Sequence, residues 1–74
     1  MLVKVKLFAT FRAGRFKAKD SIMDEGTTVG WVVDSLHLPR EELGIIFLNG
    51  HAVTLETVLN DGDTLSIFPM VGGG

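Results

Sequence analysis

The residues best placed to do chemistry lie at the end of the chain, where Met70-Val71-Gly72-Gly73-Gly74 follows Phe68-Pro69. Glycine has no Cβ, so a terminal glycine pair passes through a channel too narrow for any side chain and delivers one reactive group, the carboxylate of Gly74. Five extended residues from Met70 reach roughly 17 Å at about 3.3–3.6 Å per residue, enough to place Gly74 inside the active site of another protein. The alternative is a frayed end with no chemical role.

Elsewhere the chain offers no catalytic constellation. Without cysteine it has no thiolate nucleophile, no thiolate metal site and no disulfide. His37 and His51 stand at no metal-ligand spacing from another ligand, so both are expected as solvated or turn residues. Asp61 and Asp63 flank Gly62, but the stretch lacks the spaced oxygen ligands and terminal glutamate of a calcium loop, and turn chemistry accounts for them. The triple glycine is followed by neither Lys-Ser/Thr nor a helix, which excludes a phosphate cradle. No metal and no permanently bound cofactor is expected.

The elements that position the tail are legible in the hydropathy pattern. Seventy-four residues fill one domain, and 46% hydrophobic with 22% charged residues excludes a disordered chain. Nine acidic against seven basic side chains, a formal charge of −2, argue against a nucleic-acid partner. The apolar runs fall far short of the ~20 residues of a membrane-spanning helix, and the start of the chain has no export-signal core, so a cytoplasmic protein is expected.

Leu2 to Phe8 alternates, with Val3, Val5 and Leu7 on one face and Lys4 and Lys6 on the other, which predicts a half-buried strand. Ala13-Gly14 reads as a turn into a second strand over Arg15 to Met23. Thr27 or Thr28 is a helix N-cap, and Val29, Val32, Val33 and Leu36 form an apolar stripe at helical spacing. Trp31 lies opposite that stripe and should be partly exposed, most simply against a neighbouring loop. Pro39 ends the helix, and a short turn with acids at its start leads to Gly44. Ile45 to Leu48 is a strand, Asn49-Gly50 a hairpin turn, and His51 to Val53 its return. After the turn Asn60 to Asp63, Thr64 to Phe68 alternates as the last strand and Pro69 stops it. The order β-β-α-β-β-β predicts an α+β fold with a four- or five-stranded mixed sheet and one main helix on one face. The domain spans residues 1–69, and residues 70–74 form a mobile tail.

Lys6-Leu7-Phe8-Ala9-Thr10-Phe11-Arg12, Thr28-Val29-Gly30, Leu48-Asn49-Gly50, Asp61-Gly62-Asp63 and Phe68-Pro69-Met70-Val71-Gly72-Gly73-Gly74 together resemble the MoaD/ThiS sulfur-carrier family, across essentially the whole chain. The likeness is closer to MoaD, the small subunit of molybdopterin synthase, than to the thiamine-pathway carrier ThiS. It implies a ubiquitin-like β-grasp and a protein cosubstrate rather than an enzyme. The resemblance further implies that an E1-like (MoeB/ThiF-like) enzyme uses ATP to adenylate Gly74, that a sulfur donor converts it to a thiocarboxylate, and that a larger MoaE-like synthase subunit uses the sulfur. Gly73, Gly72 and Val71 then become tail contacts. The tail departs from the family at Met70, where many MoaD-like chains have a second proline, and at Gly72, where other small residues are also found.

Phe8 shares parity with Lys4 and Lys6, and Phe68 with Thr64 and Ser66, so both rings point away from the apolar faces of their strands. If the first and last strands are parallel neighbours, as the resemblance implies, the two rings meet on the uncovered face at the root of the tail. With Met70 they are candidates for partner docking; the alternative is that a loop around Val58 or Leu59 covers them. Three other functions stay open at this level: a sulfur carrier of the thiamine pathway, a ubiquitin-like modifier conjugated through Gly74, and a binding module that uses only the aromatic face.

Overall fold

Alternation in the first segment produces β1 (Leu2–Leu7), whose Val3, Val5 and Leu7 are at most 1% exposed. It is followed by β2 (Ala18–Ile22), α1 (Val29–Ser35), β3 (Leu43–Leu48), β4 (His51–Ala52) and β5 (Thr64–Pro69). This computed structural model describes residues 1–70, so of the tail, the expected 70–74, only Met70 is described. The strands form one sheet in the order β2-β1-β5-β3-β4, with β1 and β5 parallel and every other pair antiparallel. Five strands and one helix on a single face match the expected β-grasp. Among the described residues no helix is long and apolar enough to cross a membrane.

The core lies between α1 and the sheet. Val29, Val32 and Val33 of the helix meet Val3, Val5, Leu7, Leu65 and Ile67 of the central strands, and Phe11, Leu38 and Leu59 from connecting segments close the sides. Thr28 is the N-cap, its Oγ1 accepting from the Trp31 amide at 3.1 Å. The next free amides, Val29 and Gly30, donate to the carbonyls of Thr57 and Leu55 at 2.9 and 2.8 Å, which anchors the helix start to the β4–β5 connection. At the other end Arg15 takes the role of a C-cap, with Nε on the Leu36 carbonyl and Nη2 on the His37 carbonyl, each at 3.1 Å. Beyond α1, Arg40 holds Asp34 through two hydrogen bonds of 3.0 and 2.8 Å, and this guanidinium keeps the Asp34 carboxyl below its ordinary range.

The elements differ from the sequence reading in several places, among them β5, which includes the Pro69 expected to stop it because Pro69 pairs with Leu43. The second strand was expected to begin at Arg15, but its ladder opens with the Leu7 amide on the Lys17 carbonyl, because Arg15 is drawn away to cap α1. Before it a 3-10 turn, Ala9–Arg12, folds Phe11 into the core; no periodic pattern announces so short an element. The third strand starts at Leu43 rather than Ile45, because a bulge admits Gly44 and Ile45 opposite one residue of β5.

A polar staple at one end of the sheet joins three strands. Asn49 and Gly50 form a two-residue turn with φ of 52° and 85°, the positive values such a hairpin requires. The Asn49 side chain donates to Asp63 Oδ1 at 2.8 Å and accepts from the Thr64 amide at 2.8 Å, while Asp63 Oδ2 accepts from the Asn60 amide at 2.7 Å. The Asp63 carbonyl accepts from Lys4 of β1 at 2.9 Å. Asp63 is the only buried charged side chain among the described residues, whereas Asp61 accepts a single exposed bond from the Leu2 amide.

The two aspartates therefore carry unequal loads. Asp63→Ala strands two donors and is expected to lower stability by about 2–3 kcal/mol, whereas Asp61→Ala loses an exposed bond and is expected to cost about 1 kcal/mol or less. Urea unfolding of both variants, with unchanged m-values, checks the difference; equal losses would refute the staple.

Candidate docking face at the root of the tail

The parallel pairing of β1 and β5 runs in register through Leu7 and Ile67. The next residue of each chain is therefore Phe8 or Phe68, and alternation turns both rings to the face that α1 leaves bare. The rings stack, with centroids 4.1 Å apart and planes 11° from parallel. Phe47 reaches the same face because it pairs with Ser66, and it meets Phe68 edge-on at 5.8 Å and 89°. The Arg12 guanidinium lies 5.2 Å from the Phe8 centroid, held there by its Nε donating to the Leu7 carbonyl at 2.7 Å. Lys4 and Lys6 continue along this side of β1, and Met70, 63% exposed, stands where β5 ends.

The expected meeting of Phe8 and Phe68 is thus present, with a difference in exposure. Each ring is half-buried rather than freely exposed, and what covers it is the other aromatics. Val58 is 51% exposed and Leu59 belongs to the core beneath α1, so neither forms the cover that was the alternative. Phe47 and Arg12 were missed. Phe47 could have been found by parity, since it falls between the inward Ile46 and Leu48, but an unbroken apolar run hides alternation.

The remaining candidates separate from this face. Val71, Gly72, Gly73 and Gly74 lie outside the described residues. Trp31 is 60% exposed beside a groove that it lines with Phe16, Met23 and Leu36, and no loop closes over it. His51 is exposed in β4, and His37 is exposed at the end of α1 with φ of 57°. Among the described residues no three histidine or carboxylate side chains gather to hold a metal ion. The arrangement has the chemistry of a protein-docking surface: stacked aromatics supply apolar area at low entropic cost, and Arg12, Lys4 and Lys6 supply positive charge around it.

Comparison with known proteins agrees with this geometry. A family model described as the ThiS family matches residues 5–74. Among solved structures, the chain is similar to a Pyrococcus furiosus protein assigned as molybdopterin converting factor subunit 1, with 31% identity and a TM-score of 0.75, over 96% of this chain and 99% of that one. It is similar to Haloferax volcanii small archaeal modifier protein 1, with 28% identity and a TM-score of 0.75, over 95% and 98%. It also resembles a chain from the complex of subunits 1 and 2 of the molybdopterin-converting factor of Helicobacter pylori, with 25% identity and a TM-score of 0.67, over the whole of both. No curated protein sequence matches the chain.

Half-buried rings place the energetic cost of truncation between surface and core. Phe68→Ala, which loses two ring partners, is expected to lower stability by about 1–2 kcal/mol and Phe8→Ala by less, with a coupling of about 0.5–1.5 kcal/mol in the double-mutant cycle. Losses of about 3–5 kcal/mol for either ring would instead assign it to the core. Chemical denaturation of the two single variants and the double variant measures all three quantities.

Proposed function

Because the chain belongs to the ThiS family, we propose that it is a sulfur carrier that works in molybdopterin biosynthesis. Members of this family are small carrier proteins that enzymes act on, rather than catalysts. In the proposed cycle the Gly74 carboxylate attacks the α-phosphate of ATP in an E1-like partner, forming an acyl-adenylate and releasing pyrophosphate. A carboxylate is a poor electrophile, and AMP supplies the leaving group that a sulfur donor then displaces to leave a thiocarboxylate. A larger synthase subunit, holding a pterin precursor, takes the sulfur. All these events belong to the cytoplasm, and ATP is the partner's cosubstrate rather than a ligand of this chain.

One observation carries the reading: the aromatic cluster lies on the bare sheet face at the point where β5 ends and the chain continues toward Gly74. A partner seated on Phe8, Phe47 and Phe68 has the start of the tail within its contact area. The roughly 17 Å reach of the last five residues then spans from interface to active site. The molybdopterin assignment draws support from the similarity to the Pyrococcus subunit and to the Helicobacter complex, in which the similar chain is paired with a second subunit. The similarity to a small archaeal modifier protein favours one second reading, in which the activated Gly74 forms an isopeptide bond with a lysine of a target.

Intact-mass analysis of the protein from its native cell separates these fates. A carrier accumulates with one C-terminal oxygen replaced by sulfur and is recovered free; widespread isopeptide adducts without thiocarboxylate would reverse the choice. Removal of Gly73 and Gly74 is expected to abolish adenylate formation while leaving the unfolding transition unchanged, since the buried core of the described residues runs from Val3 to Ile67, and continued adenylation would refute the chemistry. Phe68→Ala should weaken binding of the E1-like or synthase partner more than tenfold, the effect of losing an aromatic anchor worth about 2 kcal/mol. A binding titration on the folded variant reads it.

A further inference from the structure

Gly14, Gly26, Gly50 and Gly62 have positive φ and nothing within 4 Å of where a Cβ would stand, so backbone conformation alone asks for glycine there. Gly44 is the reverse case. Its φ lies outside the left-handed region, yet a Cβ would stand 2.5 Å from the Pro69 carbonyl oxygen, 2.7 Å from the Pro69 carbonyl carbon and 3.0 Å from the Met70 nitrogen. All three atoms are backbone, so no rotation of a side chain relieves the overlap. Space demands the glycine, and the space is filled by the last residues of β5.

The same few residues bend the sheet edge. Leu43 pairs with Pro69 and Ile46 with Ile67, so Gly44 and Ile45 together oppose Phe68 in a bulge. Proline has no N–H, and the bond that ties down this end comes instead from the Met70 amide, which donates to the Glu42 carbonyl at 2.8 Å. Bulges recur beside functional sites because they re-aim a strand. Here the bulged strand is β3, beside the ring cluster, and its bend sets Gly44 against the segment that leads out of the domain.

We propose that Gly44 is a positioning residue for the tail: by admitting the Pro69 backbone against β3 it lets Met70 latch onto Glu42, and so fixes the direction in which the chain leaves the sheet beside Phe68. A fixed root raises the fraction of docked complexes in which Gly74 lies along the path into the partner's active site, as orienting a reactant does in general. No ring of the aromatic cluster takes part in the latch. Its loss therefore lowers the rate within the docked complex more than the affinity for the partner. The assignment of that partner as an adenylating enzyme rests on the sulfur-carrier reading; the latch itself rests on the backbone geometry.

The test compares Gly44→Ala with Gly50→Ala, which strains the hairpin turn at the other end of β3 and serves as a control for general destabilisation. Amide hydrogen exchange at Met70 reports the latch, and adenylate formation with the E1-like enzyme gives kcat and KM. The expected result is a Met70 amide protected in the wild type and in Gly50→Ala but exchanging about tenfold or more faster in Gly44→Ala. The same variant should lose about tenfold or more in kcat with KM within about twofold. An unprotected Met70 amide in the wild type, unchanged protection and kcat in Gly44→Ala, or equal kcat losses in the two variants would each overturn the proposal. Should Gly44→Ala not fold, a semisynthetic chain with an ester in place of the Pro69–Met70 amide removes the same bond, and an unchanged kcat in it is likewise fatal. If the wild type itself forms no adenylate, the sulfur-carrier reading falls, and the Met70 exchange comparison decides the latch by itself.

Discussion

The parallel pairing of β1 with β5 is the contact on which the other features depend. It joins residues sixty positions apart, Lys4 with Thr64 through Leu7 with Ile67, and places two strands of alternating sequence side by side at the centre of the sheet. One consequence is the core, because Val3, Val5, Leu7, Leu65 and Ile67 become a continuous apolar floor for α1. Another is the stacked Phe8–Phe68 pair, which exists only because two strands running in the same direction end at the same level. A third is kinetic: non-local pairing of this kind carries its loop-closure entropy before the reward arrives, so folding is expected to be limited by this closure. The Asp63–Asn49 staple acts at the same place, since it fixes the start of β5 against both β1 and the β3–β4 turn.

The sequence made the regular parts of this arrangement legible. Strict alternation in β1 and β5, the stripe in α1, a threonine cap at Thr27 or Thr28 and the Asn49-Gly50 turn each follow from local physics, and each stands in the structure, the cap at Thr28. Parity alone placed Phe8 and Phe68 on the bare face. What escaped was decided by contacts distant in the chain. Arg15 leaves the expected second strand because the carbonyl end of α1, some twenty residues on, binds its guanidinium. Phe11 enters the core through a turn too short to have a period, and Phe47 was concealed inside a uniformly apolar run. The role of Gly44 was invisible for the same reason: a glycine needed for an approach by a strand 25 residues later looks, in sequence, like a glycine ending a loop.

The distribution of function over the molecule is unusual in its economy. Among the described residues no three histidine or carboxylate side chains gather to hold a metal ion, and the hydrogen bonds of Asp61, Asp63, Arg15, Asp34 and Arg40 serve turns, a helix cap and a surface ion pair. Chemistry performed by partners asks three things of such a chain: a stable body, a face that partners recognise, and an end that fits their active sites. The body and the face are built by the same two central strands. That shared origin ties recognition to folding, because the aromatic surface does not form unless β5 has docked on β1.

The outer strand β2 pairs only with β1 and leaves one side of its backbone unpaired, the kind of edge along which sheets of different molecules stick together. Lys19 lies opposite Val5, which turns its chain toward the helix-covered face, and its ammonium rests 5.9 Å from the Phe16 ring. A second molecule adding a strand there would have to cover that charge, while at the far edge β4 offers only His51 and Ala52. Aggregation through either margin is thereby disfavoured, and the sheet stops at five strands. For the proposed carrier this has a practical meaning: the aromatic face can remain adhesive, ready for each partner in turn, without the molecules polymerising through their edges.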